Sequence, residues 1–201
     1  MPRLGILGGT FNPPHLGHLV CAQEAHWQLR LDQVMLVPAR IPPHKPVEDE
    51  PGAEHRLELC RRAVHGDPRF SVCDLEVGRD GPSYTVDTLE ELHAQSSDTE
   101  LLLIVGGDVA VGLPEWHEPD RVLSLARLAI AKRRGTSKAS VQAALERLVR
   151  AEPVFFRMPR IGVSSTMVRR RVRAGLPIKY LVPDAVAGYI DQHQLYGGSA
   201  N

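Results

Sequence analysis

The chain has 201 residues, 43% of them hydrophobic and 24% charged, which is enough to bury one sizeable core and typical of a water-soluble globular protein. Its 24 basic and 24 acidic residues balance, so there is no general field to recruit nucleic acid or an anionic membrane, and any anion site must be local. The three cysteines, Cys21, Cys60 and Cys73, are odd in number and lack CxxC spacing, which argues against a disulfide framework or a thiolate zinc site. The apolar part of MPRLGILGG is too short for a signal peptide and LLLIV at 101–105 too short to span a bilayer, so the expected location is cytoplasmic.

In chain order, short β-type runs alternate with amphipathic stretches. RLGILG at 3–8 predicts a strand, and LGHLVCAQEAHWQLR at 16–30 a helix with Leu19, Ala22, Ala25, His26 and Leu29 near helical spacing. QVMLVPA at 33–39 predicts a second strand, followed by RIPPHKPVEDEPG at 40–52, the one long loop, rich in proline and acids and suited to a flap. AEHRLELCRRAVHG at 53–66 reads as a helix, FSVCDLEV at 70–77 as a strand, YTVDTLEELHAQ at 84–95 as a helix and ELLLIVG at 100–106 as a strand. RLAIAKR at 127–133 and PVFFRM at 153–158 read as strands around a helix at 140–151, whose Val141, Ala144, Leu145, Leu148 and Val149 share a face. SSTMVRRRVRAG at 164–175 and PDAVAGYIDQHQL at 183–195 complete the helices. Strands alternating with helices predict a doubly wound α/β fold, a mostly parallel sheet with helices on both faces. The whole of 1–201 reads as one domain, with a small helical part from about residue 160.

In such a fold ligands gather at the carboxyl ends of strands, and the first strand runs straight into GGTFNPPHLGH at 8–18. Gly8 and Gly9 let backbone approach a ligand, and the N–H groups there and at Thr10 suit an anion. Pro13 and Pro14 stiffen the entry to a helix whose positive end lies at His15 to His18. The pattern is neither the GxGxxG dinucleotide fingerprint nor a P-loop. A plain strand-to-helix turn also tolerates two glycines, and histidines three apart are compatible with a zinc face or with surface polarity.

With its HxGH core this string resembles the signature of the nucleotidylyltransferase superfamily. More narrowly, it is similar to the bacterial nicotinate mononucleotide adenylyltransferases, whose motif usually runs GGTFDPPHxGH. The resemblance continues through IPPHK at 41–45, GPSYTVDTL at 81–89, VGGD at 105–108, LPEW at 113–116, VSSTMVR at 163–169 and YLVPDAVAGYI at 180–190, in the family's order over nearly the whole chain. It implies a Rossmann-like fold and transfer of AMP from ATP to nicotinate mononucleotide, giving nicotinate adenine dinucleotide and pyrophosphate in NAD biosynthesis. Three positions depart from the pattern: Asn12 where aspartate is usual, Gly107 where alanine is common, and Gly112 where similar enzymes often carry a bulky residue.

The implied chemistry needs no acid–base pair. The attacking phosphate monoester, with a second pKa of about 6, is already largely dianionic at neutral pH. What is needed is relief of charge repulsion and in-line placement. The resemblance implies catalytic roles for His18 and secondarily His15 on the triphosphate, with Arg169 and Lys45 as further cations. It implies ATP contacts from Gly8, Gly9, Thr10, Phe11, His15, His18, Asp108, Ser164, Ser165, Thr166 and Arg169. The mononucleotide would meet Thr10, Lys45, Tyr84, Thr85, Gly106, Leu113 and Trp116, with Trp116 stacked on the pyridine and the amides around Tyr84 and Thr85 on its carboxylate. The alternatives are a capping or packing histidine, a solvated lysine and a core tryptophan. No dedicated metal ligands are expected; Mg²⁺ would arrive with the ATP phosphates. Arg170, Arg171 and Arg173 read as a solvated face, since no aromatics interleave them to hold nucleic acid. ATP and nicotinate mononucleotide are thus the expected partners, with a homo-oligomer open. The rival readings are another adenylyltransferase of the superfamily, such as the pantetheine-phosphate type, and a non-catalytic nucleotide-binding module.

Overall fold

The computed structural model describes residues 1–43, 47–132, 137–148 and 152–197. Its sheet is built from β1 (Arg3–Gly9), β2 (Gln33–Pro38), β3 (Phe70–Val72), β4 (Glu100–Gly106), β5 (Arg127–Lys132) and β6 (Val154–Arg157), all parallel, in the order β3-β2-β1-β4-β5-β6. The helices are α1 (Leu16–Leu29), α2 (Ala53–Val64), α3 (Leu75–Gly78), α4 (Thr85–Gln95), α5 (Gly107–Val111), α6 (Pro119–Leu125), α7 (Lys138–Leu145), α8 (Ser165–Arg173) and α9 (Asp184–Gln192). The chain leaves β1 toward β2 and β3, then returns to lay β4 on the other side of β1. That reversal opens a crevice at the carboxyl ends of β1 and β4.

The two faces follow from side-chain alternation. Leu101, Leu103 and Val105 of β4 pack to one face with Leu128 and Ile130 of β5, beneath α4, α5, α6 and α7. Leu102 and Ile104 pack to the other with Ala129 and Ala131, where Cys21, Ala22 and Ala25 of α1 and Cys60 and Val64 of α2 cover them. A central strand buried on both sides therefore reads as an unbroken apolar run rather than an alternating one. Gly5 lies where a side chain would not fit: a Cβ there would stand 2.7 Å from Leu31 Cδ1 and 2.8 Å from Ile104 Cδ1. A third apolar cluster joins Leu59 of α2 to Val168 of α8 and to Val186, Tyr189 and Ile190 of α9, anchoring the C-terminal helices against the outer side of α2.

The α/β reading is shown by this sheet, and each long predicted helix is present, all but the one expected over 140–151 to within a few residues at both ends. The strand expected over 70–77 is corrected. It stops at Val72 because β3 is an edge strand with only β2 beside it, and Leu75–Gly78 then turns as α3. The stretch between β4 and β5, left unassigned by sequence, holds α5, a 3₁₀ turn at Leu113–Glu115 and α6. The helix expected over 140–151 runs Lys138–Leu145, burying Val141 and Leu145, while Val149 lies outside the described residues.

Candidate active site

A cavity of about 610 Å³ opens at the crevice between β1 and β4. Its wall includes Gly8, Gly9 and Thr10 from the end of β1, His18 from α1, Gly106 and Asp108 from the end of β4, Thr85 at the start of α4, and Trp116 beyond the 3₁₀ turn. Eight of the expected contact residues are thus brought together from five separate parts of the chain.

The HLGH stretch forms the first turn of α1 and caps it with its own rings. His15 is the N-cap; its Nδ1 accepts from the Gly17 N–H at 3.1 Å, while its own N–H donates to His18 Nδ1 at 3.2 Å. A ring nitrogen that accepts carries no proton, so in both neutral imidazoles the proton sits on Nε2, which makes that atom a donor. The rings stack with centroids 3.8 Å apart, and Phe11 meets His18 edge-on at 5.0 Å. Gly17 is required here: a Cβ would lie 2.9 Å from His15 Cε1. The capping role that sequence offered as an alternative to anion binding is therefore real, and it is also what orients the pair. His15 is buried beneath His18, and only His18 lines the cavity.

Other expected residues lie behind the wall. Phe11 is buried with φ at +50°, and Leu113 is fully buried in the core. Tyr84 packs its ring against His117, with centroids 4.4 Å apart, one residue before α4. Lys45 lies outside the described residues.

The second motif is placed differently from the phosphate-facing expectation. Ser164 caps α8, accepting from the Met167 N–H at 3.2 Å, and Ser165 Oγ donates to the Pro13 carbonyl at 2.8 Å. Thr166 is exposed on α8. Arg169 is buried, and its guanidinium donates to Asp49 Oδ2 at 3.0 Å, to the Asn12 carbonyl at 3.0 Å and to Glu48 Oε2 at 3.1 Å. Arg173 also reaches Asp49, at 2.6 Å. Hydrogen bonds first from Arg173 and then from Arg169 hold the Asp49 carboxyl below the usual carboxylate range. The α8 motif thus braces the first turn from behind, its arginine engaged with the acidic loop.

Sequence reasoning missed two residues. Arg56 of α2 is completely buried and donates to the carbonyls of Thr10 at 2.9 Å, Ala39 at 2.5 Å and Arg40 at 3.0 Å, with Glu50 at 2.9 Å. It clamps the ends of β1 and β2 together. The signal was present, because Arg56 occupies the apolar stripe of α2 one turn before Leu59 and Cys60. Glu76 of α3 is the other, a buried carboxyl in the cavity wall, and burial pushes it up to about 7. Nothing in the local pattern distinguishes it from a solvated glutamate.

Comparisons with known proteins show the family. A family profile described as cytidylyltransferase-like matches residues 6–171. A Salinibacter ruber protein named as a probable nicotinate-nucleotide adenylyltransferase is 42% identical, covering 96% of this chain and 97% of its own. The nicotinate-nucleotide adenylyltransferase of Bacillus subtilis is 38% identical over 98% of this chain and 99% of its own. Among solved structures, a Plasmodium falciparum nicotinic acid mononucleotide adenylyltransferase complexed with NaAD superposes with a TM-score of 0.78 at 17% identity, covering 98% of each chain. That last likeness speaks for the fold.

Proposed function

Because the chain belongs to the cytidylyltransferase-like family, and within it to the nicotinate-nucleotide adenylyltransferases, we propose that it transfers AMP from ATP to nicotinate mononucleotide with release of pyrophosphate. The observation that carries this is the cavity wall: a turn of glycine amides, a helix start with His18 as an oriented donor, and on the same cavity an aromatic face and a second helix start. Fixed donors of this kind act on charge that builds up in the transition state, and a substrate phosphate that is already ionised needs no base. In this reading Gly8, Gly9, Thr10 and His18 face the triphosphate. His15 fixes His18. Trp116 stacks on the pyridine, and the amides at Thr85 hold its carboxylate.

Among the described residues no three metal-ligating side chains come together, and Asp108 stands exposed at the cavity rim. Asp108 is the carboxylate that would orient a magnesium ion entering with the ATP phosphates. The ion, when bound, neutralises phosphate charge. No helix among the described residues is long and apolar enough to cross a membrane, consistent with a cytoplasmic enzyme.

The test is pyrophosphate release from ATP with the nicotinate and nicotinamide mononucleotides and with phosphopantetheine. Turnover is expected chiefly with the first; a preference for phosphopantetheine would sink the assignment. His18→Ala is expected to lower the maximal rate by about a hundredfold, the usual loss for one preorganised donor. Unchanged turnover would remove its role.

A further inference from the structure

Of the three carboxylates on the cavity wall, Asp108 and Glu115 are exposed, whereas Glu76 is 7% exposed and belongs to neither the phosphate-facing turn nor a helix cap. Thr88 Oγ1 donates to Glu76 Oε1 at 2.9 Å. Ser83 Oγ accepts the N–H groups of Arg40 at 2.9 Å and Ile41 at 3.3 Å, which leaves its proton for Glu76, also its partner. The carboxyl therefore ties α3 to the loop leaving β2 and to the first turn of α4, one turn from Thr85. All four of Glu76, Ser83, Thr85 and Thr88 line the cavity.

The surrounding charges are largely paired with one another. Arg79 donates to Thr88 at 3.3 Å, is paired with Glu91 and stands 4.0 Å from Asp87, both on α4. Arg40, from the loop after β2, pairs with Asp80. From α2, Arg61 pairs with Asp74, with Glu54 beside them in the groove behind α3. His18, Asp108 and Glu115 share the cavity. With these neighbours, burial is the largest influence on Glu76 and keeps it protonated to around neutrality, against the pull of Thr88, Ser83 and Arg79.

We propose that Glu76 is a specificity-determining residue that sets how well the cavity tolerates an anionic ring substituent at the start of α4, accepting it while the carboxyl is neutral and repelling it once the carboxyl is ionised. This rests on the reading above that the pyridine carboxylate binds at Thr85. Acid mononucleotide then binds best below neutrality and progressively less well as pH rises through about 7, and by linkage the bound carboxylate holds the proton on Glu76 more tightly. The amide mononucleotide feels neither effect. Both substrates carry the same phosphate, and both meet the same ATP and histidines, so the ratio of their kcat/KM values cancels the titrations they share, and the Glu76→Gln profile separates Glu76 from groups such as His117 that lie near the ring substituent.

The experiment measures that ratio by pyrophosphate release, from about pH 6 to about pH 8.5, for the wild type and Glu76→Gln. The wild-type acid-over-amide ratio is expected to fall about tenfold, the equivalent of one pH unit of coupling. Glu76→Gln, which keeps an acceptor for Ser83 and Thr88, is expected to give a flat ratio at or above the wild type's acidic value. Parallel profiles in the two proteins would overturn the proposal. So would a flat wild-type ratio, which needs no variant to fold. Absence of turnover with either mononucleotide would instead defeat the underlying assignment.

Discussion

Two buried arginines flank the first turn, and they are held in opposite ways. Arg56 is sealed from solvent and donates mainly to backbone carbonyls of the strand ends, with Glu50 as its one carboxylate. Arg169 lies behind the same turn but is held by side chains of the 48–49 loop, Glu48 exposed and Asp49 partly so. A carbonyl fixed in a strand end has no other place to go. A carboxylate on an exposed loop regains water when it lets go, so on the acidic side the pair with Arg169 is weakly fixed even though the guanidinium itself is buried. The first arginine is frame; the second joins the Asn12 carbonyl of the turn to an exposed acidic loop.

The contrast breaks first at Arg56. Arg56→Met removes the donor to three carbonyls and leaves Glu50 unpaired, and is expected to lower stability by about 3 to 5 kcal/mol in denaturant unfolding. A loss below about 1 kcal/mol would mean the clamp is dispensable. Arg169→Met is expected to lower stability by only about 1 to 2 kcal/mol, since Glu48 and Asp49 regain water, while raising the KM for ATP more than that for the mononucleotide. Equal changes in the two constants would make Arg169 purely structural. The smallest effect sharpens the comparison most. Asp49→Asn weakens the loop's hold on Arg169 and Arg173 and is expected to lower the KM for ATP by up to about fivefold, the scale of one exposed ion pair. A raised KM would show that Asp49 supports the site instead of competing for its arginine.

What was legible in the sequence follows the same division between local and assembled features. β4 announced itself because five successive apolar residues serve two cores, and α1 because Leu19, Ala22, Ala25, His26 and Leu29 keep near-helical spacing. α3, α5 and α6 are each shorter than two full turns, too short to display a period, so the β4–β5 connection stayed blank. FSVCDLEV has the composition of a strand, yet only Phe70, Ser71 and Val72 find a neighbour on that edge of the sheet. In the site, the placement of the glycines and histidines at the end of β1 and the start of α1 was readable because their spacing is the geometry. Arg169 was readable as a cation but not as one engaged with Glu48 and Asp49, which lie 121 and 120 residues away in sequence. Arg56 and Glu76 were invisible as site residues for a related reason: a charged residue is assumed to be solvated, and only the fold decides otherwise.

The brace behind the first turn has a consequence for the order in which the molecule matures. Residues 8–18 are made well before the segments that complete them: the carbonyls of Asn12 and Pro13 gain donors from Arg169 and Ser165, and the Leu16 N–H its acceptor from Leu181. A nascent chain can therefore lay down the central strands before the turn at residues 8–18 is fully braced. Order at this turn is thus borrowed across more than 150 residues of sequence, and a chain without α8 would keep the sheet yet leave these two carbonyls without their donors.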